Sequence, residues 1–233
     1  MTPGLAIIGH GKMGRLVEHL TPQHGFEVRS KFSSANNAEA RGLTRESLNG
    51  ATIAIEFSTS AAAPHNLRRL ADLGVSAVCG TTGWYGELPS VRAAVNSSGT
   101  ALVYGANFSI GVNIFLRTLS CAATLLAKYP EYAAWGWEIH HAAKKDAPSG
   151  TLLKLAETIR AAGYPNEVNL SSNRAGSLPG THEIGFDSPA DTITFRHTAR
   201  SREGFALGAL RAARWIADKK GVFDFQEIFS QLG

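Results

Sequence analysis

At 233 residues, with 44% hydrophobic and 18% charged residues, the chain has the balance of a globular protein large enough to bury a sizeable core. Its net charge of +4 is mild, with no basic run of the kind that grips nucleic acid and no apolar run of membrane-spanning length. Two distant cysteines, Cys79 and Cys121, argue against a disulfide framework or a zinc knuckle. The first ten residues lack the basic and apolar segments of a secretory signal, so the expected location is the cytoplasm.

Leu5–Ile8 is a short apolar run entered from Pro3-Gly4, as expected of a buried parallel strand. It meets Gly9-His10-Gly11-Lys12-Met13-Gly14, a G-x-G-x-x-G match, followed by a helical stretch at Arg15–Leu20 and a second strand at Phe26–Lys31. Strand, glycine turn, helix and strand within about 30 residues is the context in which this motif holds a dinucleotide. The glycines allow a tight turn and let a pyrophosphate approach backbone N–H groups at a helix N-terminus. An acidic residue near the end of the second strand usually takes the adenosine ribose hydroxyls, yet here that corner reads Arg29-Ser30-Lys31-Phe32-Ser33-Ser34. A basic, hydroxyl-rich corner suits a 2′-phosphate. NADPH is therefore expected to be accepted well, in preference to NADH, through Arg29, Lys31 or Ser33.

Strands are predicted at Ala51–Phe57, Val75–Cys79 and Ala101–Tyr104, with helices at Ala62–Leu73 and Leu88–Asn96 between them. Such alternation indicates a parallel sheet, whose ligands sit at the carboxyl ends of the strands. The loops Ser58–Ser60, Gly80-Thr81-Thr82-Gly83 and Gly105-Ala106-Asn107-Phe108 should share that rim with the glycine turn. From Ser109 the pattern changes. A long helix at Ile110–Lys128 precedes a strand on which Trp135, Trp137 and Ile139 alternate against Glu138 and His140, as on a half-buried strand. A helix at Gly150–Ala162 follows, then strands at Val168–Ser172, Thr181–Phe186 and Thr192–Ala199, and Arg202–Lys219 returns to a helix. The fold class is therefore α/β: a Rossmann-like parallel-sheet dinucleotide-binding domain, residues 1–106 and 202–233, plus a smaller α+β domain with a mixed sheet, residues 107–201.

The chemistry concentrates between Trp137 and Leu152, where His140 and His141 stand beside Lys144 and Lys145 and the run closes on Pro148-Ser149-Gly150-Thr151. Imidazole titrates nearest neutrality, so His140 can give or take a proton. Lys144 can pair with a carboxylate or, with a depressed pKa, donate a proton. Ser149 suits an N-cap, leaving the N–H groups of Gly150 and Thr151 at the positive end of a helix, where an anionic group could dock with the Thr151 hydroxyl. Asp146 could orient a lysine or the loop. No metal site is expected, because no further ligand lies at a familiar spacing from the histidine pair.

Glu138-Ile-His-His-Ala-Ala-Lys-Lys-Asp-Ala-Pro-Ser-Gly-Thr151 resembles the E-x-H-H-x-x-K-x-D-x-P-S-G-T signature of the dihydrodipicolinate reductase family. Gly11-Lys-Met-Gly14, Gly80-Thr-Thr-Gly83, Asn107–Asn113, Gly180-Thr-His-Glu183 and the His197 to Gly208-Ala run resemble further segments of that family, so the resemblance spans nearly the whole chain. It implies an NAD(P)H-dependent reduction of 4-hydroxy-tetrahydrodipicolinate with loss of water, in lysine and diaminopimelate biosynthesis. It further implies His140 as the acid/base residue, Lys144 as the proton donor, and His141, Gly150 and Thr151, with the capping Ser149, around the substrate's carboxylates. Gly9–Gly14, Gly80–Thr82 and Gly105–Phe108 would hold the dinucleotide, and the molecule would be a homotetramer joined through the second domain's sheet. The chain is short for the family, mostly after the second strand, and its glycine turn has one residue fewer than in many relatives. Two alternatives stand beside this reading: another nicotinamide-dependent dehydrogenase of similar architecture, and a dinucleotide-sensing protein without catalysis.

Overall fold

A computed structural model describes residues 2–232. In chain order its main elements are β1 (Gly4–Ile8), α1 (Lys12–Leu20), β2 (Glu27–Phe32), α2 (Arg45–Leu48), β3 (Ile53–Glu56), α3 (Ala63–Asp72), β4 (Ser76–Cys79), α4 (Leu88–Ser98) and β5 (Ala101–Tyr104). They continue with α5 (Ile110–Leu126), β6 (Ala133–His140), α6 (Gly150–Ala161), β7 (Asn169–Arg174), β8 (Thr181–Asp187), β9 (Thr192–Thr198), α7 (Glu203–Trp215), β10 (Gly221–Asp224) and α8 (Phe225–Ile228). The chain forms two units, one holding the residues up to Ile110 together with those from Glu203 on, the other Gly111–Arg202.

The first unit is a six-stranded sheet in the order β10-β5-β4-β3-β1-β2, parallel at every pairing. Its inner strands β1, β3, β4 and β5 are largely apolar on both faces because helices cover both, whereas the edge strand β2 is polar and mostly exposed. Leu5 and Ile7 point into a core shared with Val17 and Leu20 of α1 and with Ala206, Leu210 and Ala213 of α7. Ala6 and Ile8 point the other way, toward Leu67 and Leu70 of α3 and Val91 and Val95 of α4. The chain leaves β1 toward β2 on one side and returns to β3 on the other, so the switch point of the topology lies above β1 and β3. The predicted strands and helices of this unit are all present, and β10 is an addition at the sheet's edge beside β5.

The second unit pairs a four-stranded mixed sheet, β7-β6-β8-β9, with α5 and α6. β6 and β7 run parallel, while β8 is antiparallel to both β6 and β9. Val112, Phe115, Leu116 and Leu119 of α5 and Leu152, Leu155 and Ile159 of α6 form the core with Ala134, Ile184 and Phe186. On β6 the alternation is as read, but the buried set is Ala134, Gly136, Glu138 and His140, and Trp135, Trp137 and Ile139 are the half-exposed set. Hydropathy alone would turn this strand over. Glu138 lies inside because Ser149, Ser172 and Arg174 hydrogen-bond its carboxylate, and His140 lies beside that charge.

Candidate active site

In the first unit the glycine turn ends β1 and opens α1. Gly9 has φ +89°, and a Cβ there would lie 2.2 Å from the Phe57 carbonyl oxygen. Gly14 is barred from a side chain by the Gly9 carbonyl oxygen at 2.3 Å. Gly11 has nothing within 4 Å of the position a Cβ would take. Two glycines therefore serve the fold, and the third leaves open space at the N-terminus of α1, where Gly11 offers no capping side chain and the first turn holds no acid. That suits a pyrophosphate. The N–H groups of Gly9 and His10 both donate to the Phe32 carbonyl, at 2.9 and 3.0 Å, which ties the exit of β2 to the turn.

Lys31 and Ser33 lie at that exit, and Arg29 sits further back with its guanidinium 2.9 Å from Glu27. Lys31 Nζ is 2.8 Å from Glu18 Oε1, and His10 Nε2 is 2.6 Å from Glu18 Oε2, so one carboxylate on α1 holds both side chains. Their hydrogen bonds keep the Glu18 carboxyl below its ordinary range. Gly80, Thr81 and Thr82 follow β4, and Gly105, Ala106, Asn107 and Phe108 follow β5. Thr81 is buried and its Oγ1 has no partner among the described residues, a polar atom available to a ligand. Phe108 is buried against Phe225, with ring centroids 4.4 Å apart. This rim fits a dinucleotide.

In the second unit the centre is Glu138, fully buried on β6. Its Oε1 accepts from Ser149 N at 2.9 Å, Ser172 Oγ at 3.0 Å and Arg174 Nη2 at 2.8 Å. Its Oε2 takes a short hydrogen bond from Ser149 Oγ, and His182 Nε2 and His140 Nδ1 lie 3.4 and 3.6 Å from it. Burial alone would push this carboxyl up, but the bonds from Ser149, Arg174 and Ser172 hold it at about 2. The imidazoles go the other way. Burial lowers His140, opposed by the Glu138 charge and reinforced by Lys144 and Arg174. Burial and the neighbouring His140 lower His182 to about 4. Gly180 makes room for the pair, since a Cβ there would lie 2.7 Å from His140 Nε2.

β6 ends at His140, so His141 opens the loop, half-buried, with its carbonyl taking the Lys144 N–H at 3.1 Å. Lys144 Nζ is bound to both oxygens of Asp146, at 2.7 and 2.9 Å, which keeps the Asp146 carboxyl below its ordinary range. Ser149 is buried and caps α6, its Oγ accepting from Leu152 N at 3.2 Å, while Gly150 and Thr151 open the helix with Gly150 exposed. The structure thus gathers His140 and Ser149 on one carboxylate and ties Lys144 to its own loop. Sequence reasoning does not single out Glu138, Ser172, Arg174 or His182 as site residues. The available signal was Glu138 inside the signature and His182 inside Gly180–Glu183. Glu138, His140 and His182 also offer ligand atoms within 4.8 Å of one another, a convergence that spacing along the chain does not reveal. The carboxylate there is already spent on four donors from Ser149, Ser172 and Arg174.

No helix among the described residues is long and apolar enough to cross a membrane. The family model for the N-terminus of dihydrodipicolinate reductase matches residues 4–108, and the model for its C-terminus matches residues 111–229. Among curated relatives, the 4-hydroxy-tetrahydrodipicolinate reductase of Christiangramia forsetii is 32% identical over 98% of each chain. That of Archaeoglobus fulgidus is 33% identical over 93% of this chain and 95% of its own. The full-length match to the first shows that the shortness of this chain is shared. In fold, a dipicolinate-bound dihydrodipicolinate reductase from Paenisporosarcina sp. TG-14 superposes with a TM-score of 0.80 at 22% identity, over 98% of this chain and all of the other. Signature, fold and full-length relatives agree: the chain belongs to the dihydrodipicolinate reductase family and is an NAD(P)H-dependent oxidoreductase of lysine and diaminopimelate biosynthesis.

Proposed function

We propose how this chain performs the family reaction, the reduction of 4-hydroxy-tetrahydrodipicolinate to tetrahydrodipicolinate with loss of water: His140 is the acid/base residue and Lys144 the proton donor. Bound NAD(P)H supplies the hydride. The net reaction also consumes one proton, and a departing hydroxyl must be protonated to leave as water. The observation that carries the assignment is the burial of His140 beside an ionised carboxylate, which gives an imidazole a fixed orientation and a counter-charge for its protonated form. Lys144, held beside Asp146, supplies a second proton-bearing group on the loop that follows.

His141, Gly150 and Thr151 are assigned to the substrate's carboxylates, in keeping with the dipicolinate bound by the Paenisporosarcina enzyme, and Ser149, whose N–H and O–H both go to Glu138, caps the helix that presents them. A small dicarboxylate would compete with Asp146 for Lys144. Gly9, His10, Gly11, Lys12, Met13, Gly14, Gly80, Thr81, Thr82, Gly105, Ala106, Asn107 and Phe108 are assigned to the dinucleotide, with Lys31 at its adenosine end and NADPH preferred over NADH. Residues 1–106 and 202–233 would form the dinucleotide-binding domain, and 107–201 the substrate-binding and oligomerisation domain. The outer face of the second sheet, with Trp135, Trp137 and Ile139 half-exposed, supports a homotetramer built through it, and the cytoplasm remains the proposed location.

The deciding assay couples the protein to a dihydrodipicolinate synthase reaction and follows NADPH absorbance. Consumption by the wild type that collapses in His140→Gln and Lys144→Ala is the expected result. Consumption unchanged in both variants would remove the residue roles. NADPH binding without consumption would favour a sensing protein. Parallel titrations with NADPH and NADH test the preference, and light scattering on the eluted protein tests the tetramer.

A further inference from the structure

The polar array behind His140 allows its protons to be placed by counting donors and acceptors. Ser149 Oγ has one hydrogen, and its short contact is to Glu138 Oε2, so that hydrogen goes to the carboxylate. The same oxygen then accepts from Leu152 N at 3.2 Å and from His182 Nε2 at 3.2 Å, which requires His182 to carry its proton on Nε2. His182 Nδ1 is then bare, and it has no partner among the described residues. Glu138 Oε1 is saturated by its three donors, whereas Oε2 retains a lone pair. Two ring nitrogens face that lone pair: His182 Nε2 at 3.4 Å, whose N–H already goes to Ser149 Oγ, and His140 Nδ1 at 3.6 Å, longer than a hydrogen bond and without a partner among the described residues, where an N–H is favoured over a bare ring lone pair turned to the carboxylate charge.

We propose that Glu138 and His182 are positioning residues for the reaction: Glu138 fixes His140 as the Nδ1–H tautomer, so that Nε2 is its proton-exchanging atom, and His182, through Ser149, keeps Glu138 Oε2 turned to that task. The two imidazoles, with ring centroids 5.0 Å apart, hold opposite tautomers around one carboxylate oxygen. This rests on the reading of His140 as the acid/base residue. The charged and titratable groups facing His140 within its unit are Glu138, His182, Lys144, Asp146 and Arg174. Of these, Glu138 alone combines full burial with a negative charge, so it governs how readily His140 takes a proton.

Imidazole nitrogen NMR of the ¹⁵N-histidine protein at neutral pH reads the tautomers directly. The expected spectrum shows His140 protonated on Nδ1 and His182 on Nε2, assigned by His140→Gln and His182→Gln. His140 found with its proton on Nε2 overturns the proposal, whatever the activity. Kinetically, Glu138→Gln offers an amide that can donate to Nδ1 and reverse the tautomer. Its kcat is expected to fall by about 10²-fold or more, with the alkaline limb of the pH profile moved to lower pH and the KM for NADPH unchanged. A folded Glu138→Gln with wild-type kcat and pH profile would also overturn it. Should that variant not fold, the wild-type tautomer decides. His182→Gln, whose amide can still donate to Ser149, should keep most of the kcat that His182→Leu loses; equal rates in those two variants would remove His182 from the arrangement. A wild type that turns over nothing would refute the acid/base role while leaving the tautomer test to stand alone.

Discussion

The two units prepare for chemistry by opposite means. In the glycine turn the first unit works by leaving side chains out: Gly9 and Gly14 let backbone pass within 2.2 and 2.3 Å of where a Cβ would stand, and Gly11 leaves empty space at a helix N-terminus. Around Glu138 the second unit works by filling every position: a buried carboxylate accepts from Ser149, Ser172 and Arg174 and stands beside two imidazoles. A diphosphate brings its own charge and acceptors, so its site needs donors and room. A proton carrier must have its charge states set in advance, so its site needs fixed partners. Changes in the first region should therefore separate into those that unfold the protein and those that affect only binding, whereas changes in the second should couple stability to pH.

The largest effect is expected at Gly14. A methyl group there meets backbone rather than a movable side chain, as it would at Gly9, whose φ of +89° adds strain. Gly14→Ala should lower stability by about 4 kcal/mol, seen as a fall of about 10 °C in Tm. A Tm within 2 °C of wild type, on the order of 0.5 kcal/mol, would show that the close approach of α1 to β1 is not needed.

Acid should act on the other region. Glu138 titrates at about 2 rather than 4.5, so the unfolded chain takes up that proton first. Its contribution is complete above pH 4.5 and is lost as pH falls through about 2. His182 titrates at about 4 rather than 6.5, so the unfolded chain again binds the proton at higher pH, and stability declines between pH 6.5 and about 4. The His182 share of the slope over that upper window integrates to about 3 kcal/mol, and His182→Gln should remove that share, leaving the smaller one of the other buried imidazoles and the lower window in place. Urea denaturation at a series of pH values measures both. An unchanged slope in the variant would mean that His182 is not buried as a neutral ring.

How much of this the sequence disclosed follows from the same contrast. The glycine turn is legible because its constraints are local: three glycines, a strand before and a helix after lie within about 20 residues. The run from Glu138 to Thr151 is legible as dense chemistry and as a family signature. The partners of Glu138 are not, because Ser172 and Arg174 lie 34 and 36 residues away and reach it only through the parallel pairing of β6 with β7. The buried face of β6 was hidden for a related reason. Two tryptophans and an isoleucine outrank a glutamate and a histidine on any hydropathy scale, and what allows Glu138 inside is hydrogen bonding that only the folded chain supplies, its carboxylate charge then standing beside His140. β10 is not legible in the sequence because four residues after a helix carry too little alternation to mark a strand.

At Gly11 the prediction is narrower. With nothing within 4 Å of a Cβ, Gly11→Ala should leave Tm within 2 °C of wild type, which is roughly 0.5 kcal/mol. If a pyrophosphate uses that space, NADPH affinity falls by about tenfold, or ~1.4 kcal/mol. Calorimetric titration of NADPH into the variant gives the answer. Unchanged affinity would mean that the space serves neither fold nor cofactor.

The smallest effect, and the one that bears on cofactor choice, is expected at Glu18. Its carboxylate holds Lys31 at 2.8 Å and His10 at 2.6 Å, both on a partly exposed surface where such pairs contribute about 0–1 kcal/mol to stability. Glu18→Gln should therefore leave Tm nearly unchanged. It removes a negative charge from beside the exit of β2 and frees Lys31. If the 2′-phosphate of NADPH is held at that exit, the variant should bind NADPH about two- to fivefold more tightly and NADH as before, a gain that shrinks as salt rises. A gain shared equally by the two cofactors would place the charge near the pyrophosphate instead. No gain for either would mean that the 2′-phosphate lies away from Lys31 and that Ser33 or the loop beyond it sets the preference.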